Sequence, residues 1–223
     1  MAPGRDCNDP ANHSVGDYSD PYAVRIAEDT QVIVFDSSKV VVPPLAPNDP
    51  VYRIYSAQMQ AVFALGGDVS RNIFIEHHPV LGFAPNPKEQ PTNLYPGNLV
   101  LQSVLRPIHG DRYFPANVQA KIAGHYQLFE VVSFATSQPG QLISGNAGAW
   151  PDATLPVVRA QTAQPPPGAR IENIVSTGEH GFMTMEHGAD GAWRIEAHDR
   201  RGQTFTTCTL RGANARCEPE TLP

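Results

Sequence analysis

Three short polar clusters in this 223-residue chain each follow an apolar run. Glu76-His77-His78-Pro79 comes after Asn72-Ile73-Phe74-Ile75, and Gly124-His125-Tyr126-Gln127 comes after Val118–Ala123. Gly145-Asn146-Ala147-Gly148 comes after Gln141-Leu142-Ile143-Ser144. Imidazole nitrogens are good metal ligands, and a Pro or Gly beside the histidine fixes the backbone that presents it. If the three runs are strands of a layered α/β sheet, their carboxyl ends share a rim, which is where such sheets bind ligands. One histidine alone would be structural or merely exposed. Two at strand ends, each with a rigid neighbour, point to a metal site.

The order and spacing of these clusters resemble those of calcineurin-like metallophosphoesterases, in particular the purple acid phosphatase branch and its exported bacterial relatives. The resemblance runs over roughly residues 20 to 150, and 180 to 217 is similar to the tail of those relatives. It implies a layered β-sandwich flanked by helices, an α/β (α+β) fold with a β-rich C-terminal tail. It also implies two divalent or trivalent metal ions (Zn, Mn or Fe) bridged by a hydroxide, acting on a small phosphomonoester. His77 stands at the metal-binding histidine of the family's His-x-Pro block, and His125 at the first histidine of its Gly-His-x-His block. Gln127 stands where the second histidine belongs, and an amide oxygen is a weaker ligand for zinc or iron than imidazole. His78 falls at the variable position before Pro79. It and Asn146 are therefore candidates to face the substrate or stand one step behind the metal.

The family's earlier blocks, Asp-x-His, Gly-Asp-x-x-Asp or Tyr, and Gly-Asn-His-Glu or Asp, are not met in order before His77. Gly16-Asp17-Tyr18-Ser19-Asp20 and Asn12-His13-Ser14 spell parts of them in the wrong order, without a preceding strand. The expectation is a C-terminal portion of a metal-dependent phosphoesterase, its N-terminal half missing, with little or no turnover as this chain alone. The alternative is a non-catalytic binding or structural remnant of the same fold. A partial domain would leave a sheet edge uncovered and invite oligomerisation.

Stepping along the chain, Tyr22–Ile26 alternates as a half-buried strand, and Gln31–Phe35 is a continuous apolar run ending in Asp36-Ser37-Ser38. Asn48-Asp49-Pro50 starts a helix whose face is Val51, Ile54, Tyr55, Gln58, Val62 and Leu65, closed by Gly66-Gly67. Residues 82–97 form a long loop, and Asn98–Leu105 form a second helix. Phe129–Phe134 is a strand. Residues 161–169, rich in Pro and Gln, form a linker. Gly181–Met185, Trp193–Ala197 and Thr204–Leu210 form a three-stranded meander. This divides the chain into a partial phosphoesterase domain over 1–160, the linker, and a β meander over 170–223 packed on the same domain.

Composition narrows the class from the other side. The 16 Lys and Arg against 22 Asp and Glu give a net charge of −6, which offers no footprint for nucleic acid or an anionic membrane. Hydrophobic residues at 41% support a packed core despite 22 Pro and 18 Gly. No apolar run reaches the roughly 18 residues a membrane helix needs, and the N-terminus has no signal-peptide apolar stretch. Cys208 and Cys217 flank a turn at Arg211–Asn214, within reach of a disulfide, and Cys7 is left over. A stapled hairpin and the family's exported habit point to a periplasmic or secreted protein.

Overall fold

The computed structural model describes residues 19–38, 40, 45–85, 94–148, 150, 152, 155, 165–212 and 214–219. Cys7, Asn12-His13-Ser14 and residues 161–164 of the expected linker lie outside the described residues. The body of the fold is a seven-stranded mixed sheet. It contains β1 (Tyr22–Ala27), β2 (Thr30–Val34), β3 (Arg71–Glu76), β6 (Val118–Ala123), β7 (Phe129–Phe134), β8 (Gly140–Ser144) and β9 (Ile171–Thr177), in the spatial order β1-β2-β3-β6-β8-β7-β9. β2, β3, β6 and β8 are mutually parallel neighbours, whereas β1, β7 and β9 pair antiparallel. A short ladder, β4 (Ala84–Pro85) with β5 (Leu94–Tyr95), lies between β3 and the second helix.

Two helices make the crossovers. Helix α1 (Pro50–Gly66) joins β2 to β3; Asp49 caps it by accepting from Val51 N, with Pro50 in the first turn. Its buried face is Tyr55, Gln58, Met59, Val62 and Gly66. Ile54 and Leu65, expected inward, are more than a third exposed, because the seam runs one position to the side of the sequence pattern. Helix α2 (Leu99–His109) joins β3 to β6, and Asn98 caps it through Val100 N and Leu101 N. Both helices pack on one face of the sheet, where Ile33, Phe74, Val132 and Ile143 meet Tyr55, Met59, Val104 and Leu105.

The other face is covered by a four-stranded antiparallel sheet of β10 (Gly181–His187), β11 (Trp193–Asp199), β12 (Thr204–Arg211) and β13 (Asn214–Glu218). Ile73, Val131, Leu142 and Val175 point to this side and pack against Trp193, Ile195, Leu210 and Ala215. Ile73 beside Phe74, Val131 beside Val132 and Leu142 beside Ile143 show the period-2 alternation of strands buried on both faces. The result is a mixed α/β fold in three layers: helices, large sheet, small sheet.

Two strands change the expected picture. The meander has four strands rather than three, since Asn214–Glu218 pairs with β12. Ile171–Thr177 belongs to the large sheet, as the edge partner of β7, so the small sheet begins only after Thr177. Cys208 and Cys217 sit directly opposite on β12 and β13 and are joined by a disulfide buried between the sheets. β1 is an edge strand with Tyr22, Val24 and Ile26 exposed on one side, rather than half-buried.

Candidate functional site

Because β2, β3, β6 and β8 run parallel side by side, their carboxyl ends line one rim of the large sheet. The chain places a polar group after each: Ser37 after β2, His77 and His78 after β3, His125 after β6 and Asn146 after β8. The three histidines come together, each offering a ring nitrogen within 4.8 Å of the others. The His78 and His125 rings lie tilted at 42° with centroids 3.9 Å apart, and His77 meets each of them edge-on at 4.7 and 5.1 Å.

Ser37 organises the β3 side of the cluster. Its buried hydroxyl accepts the backbone N–H of His77 at 3.0 Å and of His78 at 2.8 Å. The Ser37 carbonyl lies 2.6 Å from His78 Nδ1. A carbonyl can only accept, so Nδ1 carries the proton and Nε2 keeps its lone pair for a ligand. Burial, together with the neighbouring His125 and His77, pushes the His78 imidazole down to about 4, although the Ser37 contact works the other way. Burial and His77 lower His125 too, against the raising effect of the Asp152 carboxylate. At neutral pH both rings are therefore uncharged, as metal ligands must be.

His125 sits in the left-handed region at φ 63°, a conformation that costs a non-glycine residue about 1–2 kcal/mol. The flanking backbone holds it there. Gly124 N donates to His77 O at 3.2 Å, which ties the two histidine loops together, and Tyr126 N donates to Gly124 O at 2.7 Å. Beyond it, Gln127 N donates to Asp152 Oδ2 and Asp152 N donates to Gln127 O, both at 2.8 Å. Gly145 passes so close that a Cβ there would lie 1.9 Å from Tyr126 O, so the turn after β8 has no room for any other residue.

The floor of the site is also buried and polar. Glu76, immediately before His77, accepts Val80 N through Oε1 at 3.0 Å, and Glu130 accepts Phe83 N at 2.9 Å. These two carboxyls hold the loop that leaves the histidines and turns into the core. Desolvation raises both to about 8, so each is largely protonated at neutral pH.

The cluster thus unites His77, His125 and His78. His78, which the sequence pattern set one step back, contributes a third nitrogen beside the other two. Asn146 is directed elsewhere: its Nδ2 donates to Glu179 O at 2.6 Å and its carbonyl accepts Gly181 N at 3.2 Å, so it fastens the rim to the β9–β10 turn. Gln127 is engaged through its backbone with Asp152. Ser37 and Asp152 were not singled out in the sequence. The signal for Ser37 was the polar end of the apolar run through Phe35, while Asp152 lies in a stretch without any pattern. Beside His78 and His125 opens a hollow of about 230 Å³, walled by Pro79, Tyr95, Gly97, Asn98, Leu99 and Tyr126.

No protein-family model matches this sequence, and no curated protein matches it. In three dimensions the chain is similar to a purple acid phosphatase from yellow lupin (Lupinus luteus) seeds, at 13% identity and a TM-score of 0.50, over 85% of this chain and 32% of that one. It is similar to GAP50, described as the anchor in the inner membrane complex of Plasmodium, at 14% and 0.50, over 91% of this chain and 55% of that one. It is also similar to PhoD, at 10% and 0.53, over 88% of this chain and 43% of that one. The fold is therefore metallophosphoesterase-like, and the chain spans about a third to a little over half the length of these proteins. No described helix is long and apolar enough to cross a membrane.

Proposed function

We propose that the chain is the histidine-bearing C-terminal portion of a metal-dependent phosphoesterase of the purple acid phosphatase-related bacterial branch, acting on phosphomonoesters. One observation carries this reading: His77, His78 and His125 converge at the ends of adjacent parallel strands in this fold. Three imidazoles brought together suit zinc or iron. A bound ion of this kind supplies charge neutralisation at the phosphoryl oxygens and an activated water. In the chain itself, the Ser37 carbonyl fixes the His78 tautomer, and the Asp152 clamp keeps His125 in its strained backbone conformation. In hydrolysis the water oxygen bonds to phosphorus and the ester P–O bond breaks. The leaving oxygen takes the electron pair and a proton, giving an alcohol and orthophosphate.

The family's bridging carboxylate blocks are not met in this sequence, and Gln127 stands at the second histidine of the Gly-His-x-His block. We therefore expect a single ion to bind at the three histidines and little turnover of p-nitrophenyl phosphate by the chain alone. Calorimetric titration with zinc or manganese should show one site, weakened at least about 100-fold in His78→Ala and His125→Ala, since even residues supporting a ligand are worth roughly 10–100-fold. Unchanged affinity in both variants would overturn the reading.

A second reading, a non-catalytic remnant of the fold, is favoured by Gln127 and by likeness to GAP50, which is described as an anchor. Site-dependent turnover by the 223-residue chain would exclude it. The buried Cys208–Cys217 bridge supports residence in an oxidising compartment, periplasmic or extracellular.

A further inference from the structure

The hollow beside the histidines has a character that the metal reading does not require. One wall is His78 and His125; the rest is Pro79, Tyr95, Gly97, Asn98, Leu99 and Tyr126. Among the described lining residues there is no Lys, Arg, Asp or Glu, so the wall itself presents no charged side chain to a second phosphate. The Asn98 side-chain oxygen is committed, because Oδ1 accepts the N–H groups of Val100 and Leu101 to cap α2. At about 230 Å³ the space falls below the roughly 300–1,000 Å³ usual for drug-sized ligands. A ring or short branched chain fits it; a nucleoside does not.

The walls are also fixed in place. Asn98 N donates to Pro79 O at 2.9 Å, which joins the start of α2 to the turn after His78. Gln102, buried, donates to both Val80 O and Pro96 O at 2.7 Å. Gly97 has φ 84°, and a Cβ there would stand 2.2 Å from Val80 O, so the backbone on that side lies against the histidine loop. Tyr126 closes the opposite side. An apolar hollow held this way is ready-made, and a ligand entering it loses little to ordering the protein.

We propose that this hollow seats the leaving group of the substrate, and that the substrate class is phosphomonoesters of compact apolar alcohols, aromatic ones above all, rather than nucleotides or sugar phosphates. The inference rests on the metal-phosphoester reading above, which places the phosphoryl group at His77, His78 and His125. Tyr95 is more than a third exposed and Leu99 equally so, and they form the accessible rim over which a ring would slide.

The test compares phenylphosphonate, methylphosphonate and adenosine monophosphate as ligands of the zinc-loaded chain, by calorimetry and by NMR. Phenylphosphonate should bind about tenfold or more tighter than methylphosphonate, as burial of a ring predicts. Adenosine monophosphate should show no such gain. Tyr95→Ala and Leu99→Ala, both at exposed positions, should remove most of the phenyl preference while leaving the methylphosphonate affinity unchanged. Equal affinity for the two phosphonates with zinc bound would overturn the pocket and leave the metal site standing. If zinc does not bind, phenylphosphonate on the metal-free chain decides. Shifts at Tyr95 and Leu99 would then uphold the pocket while the metal reading falls, and no shifts would overturn both.

Discussion

The two faces of the large sheet are built on opposite rules. Toward the small sheet, the interior is almost wholly apolar: Ile73, Val131, Leu142 and Val175 against Trp193, Ile195 and Leu210, with the disulfide among them. One polar exception there is Ser133, whose hydroxyl accepts Ala215 N at 3.2 Å and donates to Ala215 O, joining β7 to β13. Toward the helices, the same sheet buries Glu76, Lys121, Glu130 and Gln141, each with a side-chain atom that has no hydrogen-bond partner among the described residues. Unpaired buried polar atoms are destabilising, so this side, with these four residues against Trp193 Nε1 on the other, gives up more stability. The difference follows the site. Glu76 and Glu130 each hold one end of the Val80–Phe83 loop that descends from the histidines, and Val80, Leu81 and Phe83 of that loop pack into the helix-side core.

If that division is right, damage to the apolar face should be the more severe for stability and silent for metal. Ile195→Ala removes a fully buried side chain from β11 and should cost about 2–5 kcal/mol. Replacing Cys208 and Cys217 together by Ala should cost about 3 kcal/mol, by the loop-entropy relation for a short crosslink. Chemical denaturation should report both losses, and zinc affinity should stay within twofold of the parent in each. A drop in zinc affinity on Ile195→Ala, measured where the variant is folded, would show that the two faces are not separable.

The polar face should instead reveal itself through pH. Glu130 has its folded-state pKa raised from 4.5 to about 8 by desolvation, the Phe83 contact only partly opposing this. The folded chain then holds a proton that the unfolded chain releases. This contribution to stability is complete below the unfolded value and is lost as pH rises through about 8. Relative to Glu130→Gln, the parent should lose about 2–3 kcal/mol of unfolding free energy between about pH 5.5 and 7.5. A flat difference across that window would mean that Glu130 is ionised in the folded protein.

Most of this division could be seen in the residues, but not all of it. The strand ends before His77, His125 and Asn146 were legible because a short apolar run closed by a rigid polar residue has few other readings, and both helix starts were legible from Asp49-Pro50 and Asn98. β9 was hidden by the Pro-rich run before it, which suggested a boundary where the chain in fact returns to the large sheet. β13, Asn-Ala-Arg-Cys-Glu, is an edge strand with alternate residues exposed, so it lacks an apolar run. The third histidine nitrogen was obscured by a motif that leaves its position variable; only Ser37, forty residues away, shows that His78 is oriented for ligation. The electrostatic influence of Glu76 on Lys121 depends on the β3–β6 register, which no single strand encodes.

Lys121 gives the finest test of the comparison. Its ammonium lies 5.3 Å from the Phe114 ring centroid and 5.1 Å from that of Phe134, and Nζ has no hydrogen-bond partner among the described residues. Burial lowers its pKa from 10.5 to about 7, although Glu76 pulls it upward. Two aromatic faces recover part of the desolvation, and a neutral Glu76 adds little. Methionine fills nearly the same volume without a charge, and replacing buried ionic groups by apolar ones of similar size is often neutral or stabilising. Lys121→Met should therefore leave stability unchanged or raise it by about 1 kcal/mol at pH 6. The folded chain binds fewer protons than the unfolded one between about pH 7 and 10.5, so the parent recovers stability across that range and the advantage of the variant should shrink. Thermal melts of both proteins at pH 6 and 9 read the difference directly. A variant clearly less stable than the parent at pH 6 would mean that the ammonium is anchored within the helix-side core, and that this face is held together by its charges rather than weakened by them.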